Sequence, residues 1–461
     1  MMQLKNKSVL VLGLGDTGLS MLRYLKAQGA RVSVADSRYA PPGLEEAEKY
    51  VIKPLIFCGP FEDELFMGVD LVAISPGVPM RSPTIARALA CGIPVVGDIE
   101  LFAWTLPKAG RPKILAITGS NGKTTVTSMV EHLCKAAGRD AVAAGNISPA
   151  VLDVMSERGE KQPEVWVLEL SSFQLETTAS LNPDAATVLN ICEDHLDRYK
   201  GMDEYAAAKR RIFEGASVQV LNRDDARCMA MENPNAGLFT FGLNSLGGQN
   251  DFGIMKKDDE IWLTQGDRFL MSSADLKVAG LHNVANALAA LALCRAIDLP
   301  MDVLLSGLRS YEGLPHRVAY VAEINNVAYY DDSKGTNVGA TVAALEGLGR
   351  KTVLIAGGEG KGQNFSPLKS AVSNHARGVV LIGRDAGMIE AALQGCGVPV
   401  IRQETMSDAV WKASELALAG DAVLLSPACA SFDMFRNYKH RAEVFVEAVR
   451  ELQPEGGVWR H

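Results

Sequence analysis

The sequence lacks the cysteine and histidine patterns of disulfide-bonded and zinc-binding proteins. Its eight cysteines lie far apart, and they form no C-x-x-C pair: 58, 91, 134, 192, 228, 294, 396 and 429. The seven histidines do not cluster. A zinc site or a disulfide framework is therefore not predicted, and scattered thiols favour a reducing compartment.

No apolar run is long enough to cross a bilayer. The longest one after the N-terminus, VANALAALALC, falls short of the roughly 20 residues that a span needs. The N-terminal run SVLVLGLG is cut by Asp16, and no small-residue cleavage site follows it. The net charge of −8 argues against nucleic acid or an anionic membrane as the main partner. We expect a cytoplasmic monomer without a membrane span.

The chain does contain a repeated alternation of apolar strands and helices, which indicates parallel sheets covered by helices. Its 461 residues predict about three domains. Breaks near TLPKAGRPK and before residue 315 divide the chain. We predict an α/β protein with an N-terminal Rossmann-like parallel sheet at 1–108, a central P-loop-like mononucleotide-binding domain at 109–314 and a C-terminal Rossmann-like domain at 315–461.

Two features stand out near the end of the central segment. Residues 236–280 read as short strands separated by glycine and aspartate, and GLHNVANALAALALCRAI predicts an amphipathic helix.

The motif GLGDTG (13–18) joins the strand SVLVL to a helix and fits the spacing G-x-G-x-x-G. Asp36 ends the next strand, RVSVAD, where a dinucleotide-binding site keeps its ribose acid. On these residues alone, a nicotinamide- or flavin-dependent oxidoreductase remains an alternative.

A second glycine-rich loop, TGSNGKTT (118–125), joins the strand KILAIT to another helix. Glycines let backbone N–H groups approach phosphate oxygens, and Lys123 can reach the terminal phosphates. Thr124 can bind Mg²⁺ through its hydroxyl. Ile117 stands where the strict P-loop pattern has glycine, so the loop is a shorter variant. It predicts a nucleoside triphosphate.

Three further residues have types suited to catalysis. Glu169 ends the buried strand VWVLE, where an unpaired carboxylate is costly and Mg²⁺ is a natural partner. His195 follows a strand in NICEDHLDRY, and Lys209 lies in the helical segment YAAAKRRIF. Taken alone, His195 also fits an ordinary loop histidine, and Lys209 a solvated helix charge.

Seven motifs together resemble one family, the Mur ligases, over essentially the whole chain. In order they are TGSNGKTT, the strand-end Glu169, EDHLDRY, AAKRRIF, GLHNVANALAA, LPHR and DDSKGTN. Three stretches, LELSSFQLE, YYDDSKGTN and LSPACASFDMFRNY, resemble the branch that adds D-glutamate. The resemblance implies an ATP-dependent, amide-forming ligase that joins D-glutamate to UDP-N-acetylmuramoyl-L-alanine, in the synthesis of peptidoglycan for the cell wall.

The resemblance also implies the residues of the ATP and metal sites. The residues expected to bind ATP are Gly119, Ser120, Asn121, Gly122, Lys123, Thr124, Thr125, Asn283, Asn286, Arg317 and Asp332. Two Mg²⁺ ions are expected on Thr124, Glu169, His195 and Lys209, the last as a carbamate. The residues expected to act in catalysis are Lys123, Glu169, His195, Lys209, Arg317 and Lys334.

The remaining implied residues bind the two other substrates. For the UDP-sugar, with the first domain as its site, they are Gly15, Asp16, Thr17, Asp36, Ser37, Arg38, Ser75, Gly77, Asn146 and His195. For D-glutamate, in the third domain, they are Lys334, Thr336, Lys361, Ser431, Phe432 and Tyr438.

The implied chemistry is activation of the L-alanyl carboxylate as an acyl phosphate, followed by attack of the D-glutamate amine. Mg²⁺, Lys123 and Arg317 would neutralise charge in the phosphoryl transfer. A related ligase of another specificity, including the folate polyglutamylating enzymes, would share the ATP loop. The oxidoreductase alternative rests only on GLGDTG and Asp36.

Overall fold

The computed structural model describes residues 3–107, 109–195, 198–245, 247–278 and 280–452. They form three α/β units, each built on its own sheet. The predicted α/β class with three Rossmann-like or P-loop-like units is confirmed. The predicted boundary residue 108 lies outside the described residues.

The N-terminal unit is a five-stranded parallel sheet in the order β3-β2-β1-β4-β5. Its central strands are continuous apolar runs because helices cover both faces. The strands are β1 (Ser8–Leu12), β2 (Arg31–Asp36), β3 (Ile56–Cys58), β4 (Leu71–Ile74) and β5 (Val95–Val96). The helices are α1 (Asp16–Ala27), α2 (Leu44–Ala47), α3 (Pro83–Ala90) and α4 (Asp98–Ala103).

The middle unit has a nine-stranded sheet in the order β14-β13-β12-β11-β10-β9-β6-β8-β7. Pairing is parallel from β7 to β12, and β12, β13 and β14 form an antiparallel extension. The strands are β6 (Lys113–Thr118), β7 (Ala141–Gly145), β8 (Val165–Glu169), β9 (Ala185–Val188), β10 (Val218–Asn222), β11 (Gly237–Phe241), β12 (Asp251–Lys257), β13 (Glu260–Gln265) and β14 (Arg268–Ser272). The helices are α5 (Lys123–Ala136), α6 (Val151–Arg158), α7 (Ser172–Leu175), α8 (Met202–Arg210), α9 (Ala226–Met229), α10 (Leu281–Arg295) and α11 (Met301–Ser310).

Helix α10 departs from its amphipathic prediction. Its residues from Ala287 to Cys294 are all buried, so no polar face is left for solvent. The reason is its position, because α10 packs against α5, α11 and α12 as well as the sheet. A helix enclosed in this way is apolar all round.

The C-terminal unit has a six-stranded sheet in the order β15-β16-β20-β17-β18-β19, and only β15 pairs antiparallel within it. The strands are β15 (Ala319–Ile324), β16 (Val327–Asp331), β17 (Thr352–Gly357), β18 (Ala376–Ile382), β19 (Val400–Arg402) and β20 (Ala422–Leu425). The helices are α12 (Val338–Gly347), α13 (Leu368–His375), α14 (Ala386–Ala392), α15 (Met406–Leu416) and α16 (Tyr438–Glu451). The described residues also include 3-10 turns at Lys53–Leu55, Asp63–Phe66, Arg211–Phe213 and Ser273–Asp275.

Helix α4 fastens the N-terminal unit to the middle one. The Phe102 ring meets the buried Trp166 of β8 edge-on, with centroids 4.9 Å apart. The Glu100 carboxylate accepts hydrogen bonds from the backbone of Ala179 and Ser180, at 2.7 and 2.9 Å. The two units therefore share one continuous hydrophobic core.

The C-terminal unit touches the second glycine-rich loop directly. Asn337 Nδ2 donates to Asn121 Oδ1 at 2.8 Å. No helix among the described residues is both long and apolar enough to span a membrane.

Candidate active site

The first glycine-rich loop lies between β1 and α1 at the carboxyl edge of the N-terminal sheet. A Cβ on Gly18 would come within 1.8 Å of the Gly13 carbonyl oxygen, so this helix–loop approach requires glycine. Gly15 caps α1 and has open space beside it. Asp16 and Thr17 form the first turn of α1, where backbone N–H groups face a prospective anion.

Asp36 is already fully engaged within its own unit. Its buried carboxylate accepts from Leu14 N at 2.7 Å and from the Arg38 guanidinium at 2.7 and 2.8 Å. The cationic and amide donors hold the pKa of Asp36 below its usual value despite burial. Asp36 thus shapes the loop and orients Arg38, and its oxygens are not free for a ribose.

Three other residues predicted for the UDP-sugar lie near this loop, two in a cavity and one behind the loop. Ser37 and Gly77 line a cavity of about 600 Å³ beside β4, together with Arg81. Ser75 is buried against the glycine loop and donates to the Gly13 carbonyl at 3.3 Å. The structure therefore brings these predicted residues to one edge of the sheet.

The second loop begins at the end of β6 and opens α5. Gly122 caps α5 at φ 81°, and no side chain caps the helix. A Cβ at Gly122 would approach Asn286 Oδ1 to 2.7 Å, so glycine suits both the conformation and the space. The first-turn N–H groups of a 14-residue helix are thereby left to bind an anion.

Lys123 is folded back on this loop. Its Nζ donates to the carbonyls of Gly119 and Ser120, at 2.8 and 2.9 Å. Burial lowers the pKa of Lys123, and the charges of Glu169 and Asp194 oppose that effect. Two carbonyls are weak partners for an ammonium, so a phosphate can replace them.

The remaining loop residues are tied into the middle unit by burial and hydrogen bonds. Thr124 is half-buried and Thr125 buried in the first turn of α5. Ser120 is buried, and its hydroxyl donates to the Cys192 carbonyl at 3.0 Å. Asn121 N donates to Asn190 Oδ1 at 2.8 Å, which ties the loop to the end of β9.

Glu169 ends β8 next to this loop and is 2% exposed. Asn146 Nδ2 donates to its Oε1 at 2.7 Å. Its Oε2 is buried and has no hydrogen-bond partner in the described part of the chain. A buried carboxylate oxygen left unpaired is costly, so this atom points to a cation that completes the site.

Lys209 projects from α8 into the same region and is 2% exposed. Its Nζ donates to Gly119 O at 2.8 Å and to Thr118 Oγ1 at 3.2 Å. Burial, followed by the positive charge of Lys123, lowers the pKa of Lys209 well below its usual value. The solvated-helix alternative for Lys209 is therefore wrong.

His195 belongs to an aromatic cluster beside α8. Its ring meets Phe173 edge-on at 4.8 Å and Tyr205 at 6.3 Å, and Lys209 Nζ lies 4.8 Å from the Tyr205 ring centroid. Burial lowers the pKa of His195, although Asp194 opposes this. The ring therefore favours its neutral form, which can bind a metal.

A cleft of about 350 Å³ separates the middle and C-terminal units. Asn286 Nδ2 donates to Asn283 Oδ1 at 3.1 Å on the α10 side. The cleft gathers most of the predicted ATP residues: Asn121, Gly122, Thr125, Asn283, Asn286, Arg317 and Asp332. Lys334, predicted for catalysis and for D-glutamate, lines it as well.

Asp332 and Lys334 stand on the C-terminal wall of this cleft. Asp332 accepts from Ser426 Oγ at 2.7 Å, and burial raises the pKa of Asp332 to about 7. Lys334 Nζ lies 4.0 Å from the centroid of the Tyr438 ring. Burial, reinforced by the charge of Arg317, lowers the pKa of Lys334 to about 8.

The other residues predicted for D-glutamate vary in exposure. Ser431 is buried, Thr336 and Tyr438 are half-buried, and Lys361 is exposed. After burial, the positive charge of Lys361 also contributes to lowering the pKa of His195. Phe432 is 68% exposed.

Two contacts were not anticipated from the sequence. Asn337 bonds to the ATP loop, and Arg198 donates to the carbonyls of Pro76 and Gly77 in the N-terminal unit. Both residues lie inside motifs quoted above, DDSKGTN and EDHLDRY. Membership of those motifs was the only sequence signal available.

Three family models match the chain in succession. They are the Mur ligase MurD-like N-terminal domain over residues 7–97, the Mur ligase middle domain over 117–294 and the Mur ligase glutamate ligase domain over 316–429. The chain belongs to the Mur ligase family. The N-terminal match ends immediately before α4, the helix that fastens this Mur ligase's first two units.

Curated relatives match this Mur ligase over nearly its whole length. A UDP-N-acetylmuramoylalanine–D-glutamate ligase of Nitrosomonas europaea is 56% identical over 460 residues, covering 98% of both chains. One of Methylobacillus flagellatus is 58% identical over 453 residues, covering 98% of this chain and 99% of its own.

Solved structures show the same fold at lower identity. The UDP-N-acetylmuramate–alanine ligase of Thermotoga maritima has a TM-score of 0.60 at 20% identity, covering 97% of this chain and all of its own. MurF of Acinetobacter baumannii has a TM-score of 0.60 at 16% identity, covering 96% and 91%. The oxidoreductase alternative for GLGDTG finds no support in these comparisons.

Proposed function

We propose that this Mur ligase joins D-glutamate to UDP-N-acetylmuramoyl-L-alanine, with ATP cleaved to ADP and phosphate. Identity of 56–58% over the full length to two D-glutamate ligases supports the substrate pair. The unpartnered Oε2 of Glu169 beside the Lys123 loop supports the ATP-dependent step, because it marks where a nucleotide-bound cation would complete the site. The family is ATP-dependent.

ATP would occupy the cleft between the middle and C-terminal units. Its phosphates would lie over the Gly119–Thr125 loop and replace the carbonyls that Lys123 contacts. Asn283 and Asn286 would hold the nucleoside end, and Arg317 and Asp332 would reach it from the C-terminal side. A nucleotide bound by both walls would hold the two units together.

The orphaned Oε2 of Glu169 supports a cation at this site, and the proposal includes two Mg²⁺ ions. Thr124 and the orphaned Oε2 of Glu169 would hold the first, and His195 and a carbamate on Lys209 the second. No group of three histidine, cysteine or acidic side chains gathers for a metal in the described part of the chain. The ions would therefore depend on phosphate, carbamate and water oxygens. They would neutralise the anions that meet at this site.

Lys209 is suited to carbamylation because a neutral amine reacts with CO₂. Its lowered pKa favours that neutral form. The carbamate also exchanges a buried cation next to Lys123 for an anion, which removes a like-charge repulsion.

The UDP-sugar would bind across the carboxyl edge of the N-terminal sheet. Its diphosphate would lie at Gly15, Asp16 and Thr17, at the start of α1. Its uridine would lie near Ser37, Arg38 and Gly77, with Asp36 and Ser75 shaping the loops from behind. Asn146 and His195 would meet the sugar end.

D-glutamate would bind to the C-terminal unit. Both of its carboxylates need donors, and Lys334, Lys361, Thr336 and Ser431 supply cations and hydroxyls. Phe432 and Tyr438 would close this pocket once D-glutamate is bound.

In the reaction, the side chains position anions and neutralise developing charge. Lys123 and Arg317 would hold the phosphoryl group as it passes to the L-alanyl carboxylate. The D-glutamate amine would then attack the acyl phosphate, and the tetrahedral intermediate would collapse to amide and phosphate. Lys334 would stabilise the departing phosphate.

Three further assignments belong to the same proposal. The domains would run over 1–108 for the UDP-sugar, 109–314 for ATP and 315–461 for the amino acid. The protein would act in the cytoplasm as a monomer on small-molecule substrates, in the precursor pathway that serves cell shape and division.

The function is tested by phosphate release from ATP by the purified protein with UDP-N-acetylmuramoyl-L-alanine and Mg²⁺. We expect turnover only when D-glutamate is added, because the acyl phosphate needs an amine acceptor. A panel of L-glutamate, L-alanine, L-lysine and meso-diaminopimelate should give little release. Preference for one of these amino acids would reassign the ligase, and NADH oxidation without ATP would revive the oxidoreductase alternative.

The pH profile tests Lys334. Its pKa of about 8 in the free protein means that it loses its cation above that pH. If the cation holds an anionic substrate group, kcat/KM falls as the pH rises through about 8. Lys334→Arg should keep part of the activity and lose this alkaline limb, because arginine stays charged.

The control for this profile is Lys351→Ala. Lys351 is exposed in the same unit and donates to the Asn374 carbonyl at 3.0 Å, away from the cleft. Its variant should follow the wild-type profile. An unchanged limb in Lys334→Arg would assign the titration to another group.

A further inference from the structure

We propose that Arg198 is a positioning residue that couples the N-terminal loop around Gly77 to the ring of His195. The inference rests on the proposed function, since it takes that loop as part of the uridine site. It assigns to Arg198 a role in transmitting UDP-sugar binding from one unit to the reaction centre in the next.

The first contact crosses between the N-terminal and middle units. Arg198 Nη1 donates to the Gly77 carbonyl at 3.1 Å, and Nη2 donates to the Pro76 carbonyl at 3.4 Å. The planar guanidinium thus binds two successive carbonyls of one loop. A lysine has a single nitrogen and cannot reproduce this fork.

The loop in question forms a wall of the cavity beside β4. Gly77 and Arg81 both line the space of about 600 Å³, which lies in the usual range for small-molecule sites. Arg81 forms an ion pair with Glu204 in the first turn of α8, the helix that carries Lys209. A ligand in this cavity would therefore contact the loop around Gly77, which side chains of the middle unit also contact.

The second contact of Arg198 leads toward the reaction centre. Its guanidinium carbon lies 4.3 Å from the centroid of the Phe173 ring, a cation–π geometry. Phe173 in turn packs edge-on against the His195 ring, with the ring centroids 4.8 Å apart and the ring planes at 64°. One aromatic ring therefore separates the guanidinium from the imidazole.

His195 depends on this packing for its orientation. Its backbone has φ 54°, in the left-handed region that is unfavourable for a residue with a Cβ. Such a conformation persists only where surrounding contacts impose it. If ligand binding shifts the Gly77 loop, Arg198 would move with it and would displace the Phe173 ring. The orientation of the His195 ring would then change.

The test follows His195 directly by NMR of the full-length protein. The chain has seven histidines, so their Cε1–H signals are few, and a His195→Gln spectrum assigns the one of interest. Uridine 5′-diphosphate is the probe, since it lacks the sugar and L-alanyl groups expected near His195. We expect UDP to shift the His195 signal in the wild-type protein.

Three variants separate the two contacts of Arg198, the one with the loop and the one with Phe173. Arg198→Ala should weaken UDP binding by about tenfold, because two charge-assisted hydrogen bonds to the loop are lost, and should abolish the His195 shift at saturating UDP. Phe173→Leu should leave UDP affinity within about twofold and still lose most of the His195 shift. Arg198→Lys should restore little, because a lysine ammonium lacks the planar guanidinium that packs over the Phe173 ring while it donates to both carbonyls.

Kinetics give a second measure of the same coupling. Arg198→Ala should raise KM for UDP-N-acetylmuramoyl-L-alanine and lower kcat, with KM for ATP nearly unchanged. Arg227→Ala is the matched control, since Arg227 pairs with Asp203 of α8 at 2.6 Å without reaching the N-terminal unit. It should leave both constants and the His195 shift as they are.

The outcomes are distinguishable. A wild-type UDP response that persists in Arg198→Ala and Phe173→Leu overturns the coupling and leaves the proposed function standing. Failure of the wild-type protein to bind UDP overturns the proposed uridine site and the coupling with it. If Arg198→Ala does not fold, Phe173→Leu and Arg198→Lys decide the matter by the same signal.

Discussion

Lys123→Ala is expected to lower kcat/KM by at least about 10³-fold while the fold stays intact. Lys123 starts α5, where uncapped backbone N–H groups already favour an anion. Its ammonium would add the full positive charge that phosphoryl transfer requires. The loss should appear in phosphate release under saturating D-glutamate and UDP-sugar.

The fold should tolerate this change because Lys123 contributes little to stability. It contacts two carbonyls of its own loop and its cation is penalised by burial. The melting temperature should therefore be equal to that of the wild type or slightly higher. Alanine at this position leaves the glycines of the loop unchanged.

Lys135→Ala is the matched control on the same helix. Lys135 lies in the last turn of α5 and pairs with Glu131 at 2.8 Å on the exposed face. It should retain nearly full activity. If Lys123→Ala stays within about fivefold of the wild type, the phosphate-binding role of this loop is wrong.

Lys209→Ala should also lower kcat by at least about 10³-fold, for a different reason. The variant would lose the proposed carbamate, which would supply an anionic oxygen to a metal beside His195. A short carboxylate such as formate or acetate should restore part of the activity, because it can occupy the vacated space and offer the same oxygen. The measurement is turnover as a function of added carboxylate.

Three comparisons support the interpretation of that rescue. Lys123→Ala should gain nothing from acetate, since it lacks a cation rather than an anion. Arg210→Ala, the exposed neighbour on α8, should keep wild-type activity. Carbon-13 bicarbonate should give a carbamate NMR signal in the wild type and not in Lys209→Ala. Full activity in Lys209→Ala would contradict the carbamate assignment.

The fold was largely predictable because the interior strands of its sheets are apolar on both faces. The runs VWVLE and AVLL, for example, form interior strands of parallel-paired sheet, as their continuous apolar pattern predicts. Helix α10 was predicted with the wrong character, because a sequence window cannot show that other helices cover its second side. The short β7 and the pairing order of the nine-stranded sheet were likewise beyond a local pattern.

The sequence by itself determined the family and the two glycine-rich loops, because glycine spacing, Lys123 and the ordered motifs are local signals. Only the tertiary structure decided which polar atoms are already paired. Asp36 fits the ribose-acid position in the sequence, yet its oxygens are taken by Leu14 and Arg38. Glu169 keeps one buried oxygen without a hydrogen-bond partner in the described part of the chain. Arg198 donates a hydrogen bond to the carbonyl of Gly77, 121 positions away in the sequence. Such pairings depend on distances between segments remote in sequence, and those distances exist only once the three units have packed together.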